Sequence, residues 1–106
     1  MANLDYLKRL MGDASLAERF LHLFRTQMPT QMEALQQHIA AQNWEAAGAE
    51  AHAMKGQLRY LDEEAAATLA YRIEQIAEQG GGPEASPLAA ALEEQLGRII
   101  AEIAGL

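Results

Sequence analysis

Hydrophobic residues recur along this chain at steps of three and four, and the alternation of β-branched residues that marks a strand is missing throughout. The longest such stripe is Leu16, Phe20, Leu23, Phe24, Met28, Met32, Leu35 and Ile39. It predicts one long helix opening at Ser15, with Glu18 completing a capping box, and running to about Gln42. Pro29 lies inside it and removes the hydrogen bond to the Arg25 carbonyl, but the stripe continues in phase, so a kink is expected rather than a break. Upstream, Asp5 to Met11 reads as a short amphipathic helix. Downstream, Trp44, Ala47, Ala51, Met54, Leu58 and Leu61 share one face of a helix over Trp44 to Leu61. Asp62 reads as the N-cap of the next helix, with Glu63 and Glu64 in its first turn and Leu69, Ile73 and Ile76 on its apolar side. That helix is expected to end near Gln79, before "GGGPEAS". Ser86 then reads as a cap, and Pro87 as the first position, of a last helix bearing Leu88, Leu92, Leu96, Ile99 and Ile103. Four substantial amphipathic helices with short connections predict an all-α fold. The expected architecture is an antiparallel four-helix bundle with a short additional N-terminal helix, one domain over residues 1–106.

Composition narrows the class without naming a function. Half of the 106 residues are hydrophobic, enough for one small domain with a modest core. A net charge of -7 disfavours nucleic acid and anionic membrane surfaces as partners. The absence of cysteine excludes disulfides, thiolate metal sites and a thiol nucleophile. No apolar run approaches the roughly 20 residues that span a bilayer, and the N-terminal "MANLDYLKRLMGD" has no signal-peptide core. A soluble, cytoplasmic domain is expected. His22, His38 and His52 are spaced too irregularly to share a face, so no metal site is expected, and His22 and His38 read as ordinary helix-surface residues. No Walker-type loop is present, and the glycine run precedes a proline instead of following a strand, which argues against a nucleotide site.

One stretch of the third helix breaks the general pattern. "GAEAHAMKGQLRYL" places His52 between Gly48 and Gly56, each four residues away, although glycine costs a helix about 1 kcal/mol relative to alanine. His52 falls about 130° from the centre of the apolar face, on the solvent side, with Lys55, Gly56 and Arg59 near it. Residues four apart lie above and below one another on a helix, so the two glycines leave the imidazole unshielded and open to a partner's backbone. An open imidazole beside two cations is suited to accept a phosphoryl group: histidine acts as a nucleophile, and the cations offset the new charge. If the third and fourth helices turn about Asp62 and Glu63, His52 stands level with Glu74 and Lys55 level with Tyr71. A Glu74 carboxylate there can accept a hydrogen bond from one ring nitrogen and leave the other free to attack.

These residues resemble the histidine-containing phosphotransfer (HPt) domains of two-component phosphorelays. "AHAMKG" is similar to that family's core motif, "GDASLAERFLHLF" to the start of its first long helix, and "IAAQNWEAAGAEAHAMKG" to the usual approach to the histidine. "LAYRIEQIAEQG" is similar to the following helix, where the family often has a carboxylate or amide contacting the histidine, here Glu74. The chain departs from the family at Gln57, where a small residue usually follows "KG", and at Asp62, where a glycine is usual. The resemblance implies a relay step: His52 receives a phosphoryl group from the aspartate of one response-regulator receiver domain and passes it to another. Lys55, Gly56 and Glu74 then complete the reacting site, and Gly48, Arg59 and Tyr71 belong to the docking surface. It also implies that this chain binds no cofactor, that Mg2+ sits on the partner receiver, and that the chemistry is completed there, so the chain is not itself an enzyme. A hybrid sensor histidine kinase is a further expected partner, and a monomer the expected state. The competing reading is a non-catalytic receiver-docking module that sequesters or inhibits a signalling partner. A small metal-binding bundle enzyme is a third, weaker one.

Overall fold

The computed structural model describes residues 4–105, which form five helices and, among these residues, no strand. They are α1 (Leu4–Met11), α2 (Ala14–Ala40), α3 (Trp44–Tyr60), α4 (Glu64–Glu78) and α5 (Ala85–Ala104). Helix α2 packs on α3, α3 on α4, α4 on α5, and α5 returns to α2, closing a four-helix ring. The short α1 lies against α2. At 1.5 Å per residue, the 27 residues of α2 span about 40 Å and set the 41 Å long axis of the molecule. The run of partners between α3 and α4 gives their direction: Trp44 meets Gly81, Gly48 meets Ala77, His52 meets Glu74 and Lys55 meets Tyr71. One number rises as the other falls, so the two helices are antiparallel.

The helix ends explain why the connections are so short. After α2, the N–H of Asn43 donates to the His38 carbonyl and that of Gln42 to Ile39, with Gln42 in the left-handed region at φ 58°. After α3 the same pair of bonds runs from Glu63 to Leu58 and from Asp62 to Arg59, with Asp62 at φ 57°. After α4 it runs from Gly81 to Ile76 and from Gly80 to Ala77. Each is a Schellman closure, which satisfies the last carbonyls and reverses the chain within a few residues. Asp62 is therefore the residue that ends α3, not the cap that begins α4, because the left-handed turn uses it first. Helix α4 starts at Glu64 with Glu63 in the cap position, and Glu63 makes no side-chain cap bond. Its carboxylate is buried instead and accepts from Arg98 Nη2 of α5 at 3.3 Å.

Two other expected caps move. Asp13, not Ser15, caps α2: its carboxylate accepts from the N–H groups of Ser15 at 2.7 Å and Leu16 at 3.4 Å. A carboxylate satisfies these donors and also meets the positive end of the helix dipole, which a serine hydroxyl does not. Helix α5 begins at Ala85, with Ser86 and Pro87 already in its first turn, where an absent N–H is tolerated. Asn43 caps α3 by accepting from Ala46 N at 3.3 Å. Helix α2 runs unbroken through Pro29, which is exposed on its surface.

The core follows the expected stripes except at the start of α2. Ala47, Ala51, Met54, Leu58 and Leu61 are all fully buried, as are Ile73, Leu92 and Ile99. In the first half of α2 the buried positions are Ala17, Leu21 and Phe24, while Leu16 and Leu23 are exposed and Phe20 is half-buried. The buried line there is thus rotated by one position from the one the larger side chains suggest. Alanines fill many of the buried positions of α3 and α4, among them Ala47, Ala51, Ala67, Ala70 and Ala77, and Gly48 meets Ala77 where the two helices approach closely.

Candidate functional site

The α3–α4 seam presents a chain of four side chains on its outer edge. His52 projects into solvent with 67% of its side chain exposed, and its Nδ1 lies 2.7 Å from Oε2 of Glu74. The other oxygen of Glu74, Oε1, accepts from Lys55 Nζ at 2.6 Å. Lys55 and Glu74 are each only 12% exposed, so this pair is largely withdrawn from water. The Lys55 ammonium in turn lies over the ring of Tyr71, 5.0 Å from its centroid. Gln75 Nε2 donates to the Tyr71 hydroxyl at 3.1 Å, one turn along α4.

The electrostatics fix the direction of the central hydrogen bond. Burial pushes the Glu74 carboxyl up, but the hydrogen bonds from Lys55 and His52, with their charges, outweigh it and hold the group below its usual value. Glu74 is therefore an ionised acceptor, and His52 Nδ1 must carry the hydrogen and donate to it. In the neutral ring, that leaves the lone pair on Nε2, on the side away from the helix pair. A nucleophilic nitrogen is thus held in one tautomer and one orientation by a carboxylate that is itself held by a lysine.

The glycines flanking His52 serve different ends. A methyl group at Gly56 would touch nothing beyond its own helix's backbone, so the surface one turn past the imidazole is clear. At Gly48 a Cβ would stand 3.2 Å from the Ala77 Cβ, inside ordinary carbon contact. Gly48 is thus a point of close helix approach and also part of the floor of a groove of about 480 Å3 beside the imidazole. Trp44, Glu45 and Ala49 of α3 and Ala77 and Glu78 of α4 line that groove, which His52 and Glu74 close at one end. Arg59 stays exposed about two turns along α3 and is not drawn into the His52–Glu74–Lys55 chain. His22 and His38 stand on α2, with His22 Nδ1 3.5 Å from Arg25 Nη2.

Sequence reasoning missed two features of this face. Tyr60, 52% exposed, lies on the His52–Gly56 line of α3, and its ring is 5.7 Å from that of Phe20 on α2. With Leu16 and Leu23 exposed beside Phe20, the outer side of α2 and α3 carries an apolar surface continuing from the histidine. The i, i+4, i+8 spacing of His52, Gly56 and Tyr60 was the available signal. The burial of Lys55 is the second, and no sequence pattern announces it. Gln57 is half-buried with its side-chain oxygen out of solvent, and nothing in the structure explains why glutamine stands there.

Fold and site together define a small helical bundle presenting one carboxylate-oriented histidine on its surface. The family model described as Hpt domain matches residues 19–102, from the first turns of α2 to the end of α5, and the chain belongs to that family. Membership gives it a phosphotransfer role in two-component signalling. The comparisons with curated proteins and with solved structures find no match. Among the described residues no helix is long and apolar enough to cross a membrane.

Proposed function

We propose that His52 accepts a phosphoryl group from the aspartyl phosphate of a response-regulator receiver domain and passes it to a second receiver. The observation that carries this reading is the exposed imidazole whose Nδ1 is tied to an ionised Glu74, leaving Nε2 as the open nucleophile. In the forward step a bond forms between Nε2 and phosphorus while the phosphorus–oxygen bond to the aspartyl carboxylate breaks. The electron pair leaves with that carboxylate, and the Nδ1 proton stays in its hydrogen bond to Glu74. The phosphorylated ring carries a positive charge, which the adjacent carboxylate offsets. The reverse step to another receiver uses the same geometry. Phosphoryl transfer depends mainly on positioning and electrostatics, so a bundle that supplies one oriented nucleophile is sufficient when the receiver brings Mg2+ and the remaining polar groups.

The docking face is the surface around Gly56. A receiver approaching Nε2 passes over the cleared turn at Gly56 and rests on Tyr60, Phe20, Leu16 and Leu23. Gly48 and the groove beside it border the approach from the other side, and Arg59 offers a cation at the rim. The chain acts as a monomer in the cytoplasm, and the donor is a free receiver or the receiver of a hybrid sensor histidine kinase.

Incubation with a phosphorylated receiver and magnesium tests the reading. The expected product is acid-labile, base-stable phosphate on the chain, absent in His52→Gln. Equal labelling of His52→Gln overturns the site. No transfer from any of a broad panel of phosphorylated receivers would instead favour the docking module without phosphotransfer.

A further inference from the structure

We propose that Tyr71 is a positioning residue for His52, acting through Lys55 and Glu74. The inference deepens the phosphoacceptor reading of His52 and rests on it for its kinetic consequence. Lys55 grows from the flank of α3 that faces α4, where a lysine ordinarily lays its stem along the surface and keeps its charge hydrated. Here its side chain is only 12% exposed, and its ammonium lies under the Tyr71 ring face, 5.0 Å from the centroid. The ring attracts the ammonium by cation–π interaction. It also keeps solvent off the Lys55–Glu74 hydrogen bond, which strengthens as the surrounding dielectric falls.

The consequence for chemistry lies in which carboxylate oxygen does what. An ammonium fixed on Oε1 leaves Oε2 as the acceptor aimed at His52 Nδ1. Freed from the ring, Lys55 samples solvent rotamers, Glu74 loses one of its two anchors, and the imidazole can turn or exchange tautomer. Lys55 is therefore a positioning residue as well, engaged with Glu74 before any phosphoryl group arrives, rather than a cation held in reserve for it. Tyr71 is 41% exposed and lies at the edge of the core, so its substitution tests positioning without emptying the bundle.

The experiment compares Tyr71→Phe and Tyr71→Leu by two readouts. The first is the His52 tautomer ratio from ring 15N chemical shifts of the protein alone. The second is the rate of His52 phosphorylation by phosphoramidate, in which the phosphorus–nitrogen bond to ammonia breaks as the bond to Nε2 forms. Tyr71→Phe keeps the ring face and is expected to retain the wild-type tautomer ratio and rate. Tyr71→Leu is expected to lower the Nδ1–H tautomer population and slow phosphorylation by about two- to fivefold, the range of one solvent-exposed cation–π contact. Wild-type tautomer ratio and rate in Tyr71→Leu overturn the proposal, as does an equal defect in Tyr71→Phe. Failure of the wild-type protein to label on His52 counts against the phosphoacceptor reading instead, and the tautomer comparison still decides the role of Tyr71.

Discussion

Glu74 carries the largest share of the site's organisation, because both His52 and Lys55 donate to it and its carboxyl is held below the usual range as a result. The sign of the pH effect follows. A lowered native value means that the unfolded chain binds more protons in acid, so the contribution of this pair is complete above the ordinary carboxylate range. It is lost as pH falls through the lowered native value. Urea unfolding of wild type and Glu74→Gln should therefore differ most near neutrality and converge in acid; a constant gap across that range would remove Glu74 from the acid response. Gly56 gives a second prediction at this scale. Since a methyl group there meets open space, Gly56→Ala should stabilise the helix by up to about 1 kcal/mol in thermal or urea unfolding. Gly56→Leu should slow phosphotransfer from a receiver while leaving labelling by phosphoramidate near wild type, because only the bulky donor needs the cleared turn. Normal transfer from the receiver would mean that the turn at Gly56 is not on the approach path.

Between elements, the α3–α4 hairpin is what places the site. The Schellman closure at Leu61 to Glu63 fixes the register, and the close approach of Gly48 to Ala77 fixes the spacing. Asp62 holds the turn in a left-handed conformation that glycine adopts without strain, so Asp62→Gly should raise stability by about 1 kcal/mol and leave the His52–Glu74 pairing intact. A fall in stability would show that the aspartate side chain does more than occupy the turn. Gly48→Leu should do the opposite. Its Cβ would crowd that of Ala77 at 3.2 Å, and overpacking of the seam should cost about 1–3 kcal/mol in urea unfolding and disturb the His52 tautomer.

At the scale of the whole molecule, the ring of four helices is closed by α5, and the Arg98–Glu63 contact ties α5 to the turn that sets the site. Glu63 is buried, while Arg98 is partly exposed and also bonds to Gln95 and Glu102. Arg98→Ala removes a charged partner from a buried carboxylate and should lower stability by about 1–3 kcal/mol in urea, with phosphorylation of the folded protein unchanged. A change in His52 reactivity without loss of stability would instead place α5 in communication with the site.

The sequence by itself determined the helices, the closed bundle, the solvent placement of His52 and its level with Glu74. Each follows from local periodicity or from counting residues back from one turn, and both are properties of the chain taken in order. Only the tertiary structure decided that Lys55 is withdrawn under Tyr71, that Gly48 is a seam contact while Gly56 is open, and that the buried line of α2 rotates onto Ala17 and Leu21. It also moved the cap position of α2 from Ser15 to Asp13 and that of α4 from Asp62 to Glu63, where neighbouring residues of similar chemistry compete. These depend on how closely two helices approach and on which of several adjacent side chains reaches a donor first. Distances between elements of that kind are set by packing, and no spacing along the chain encodes them.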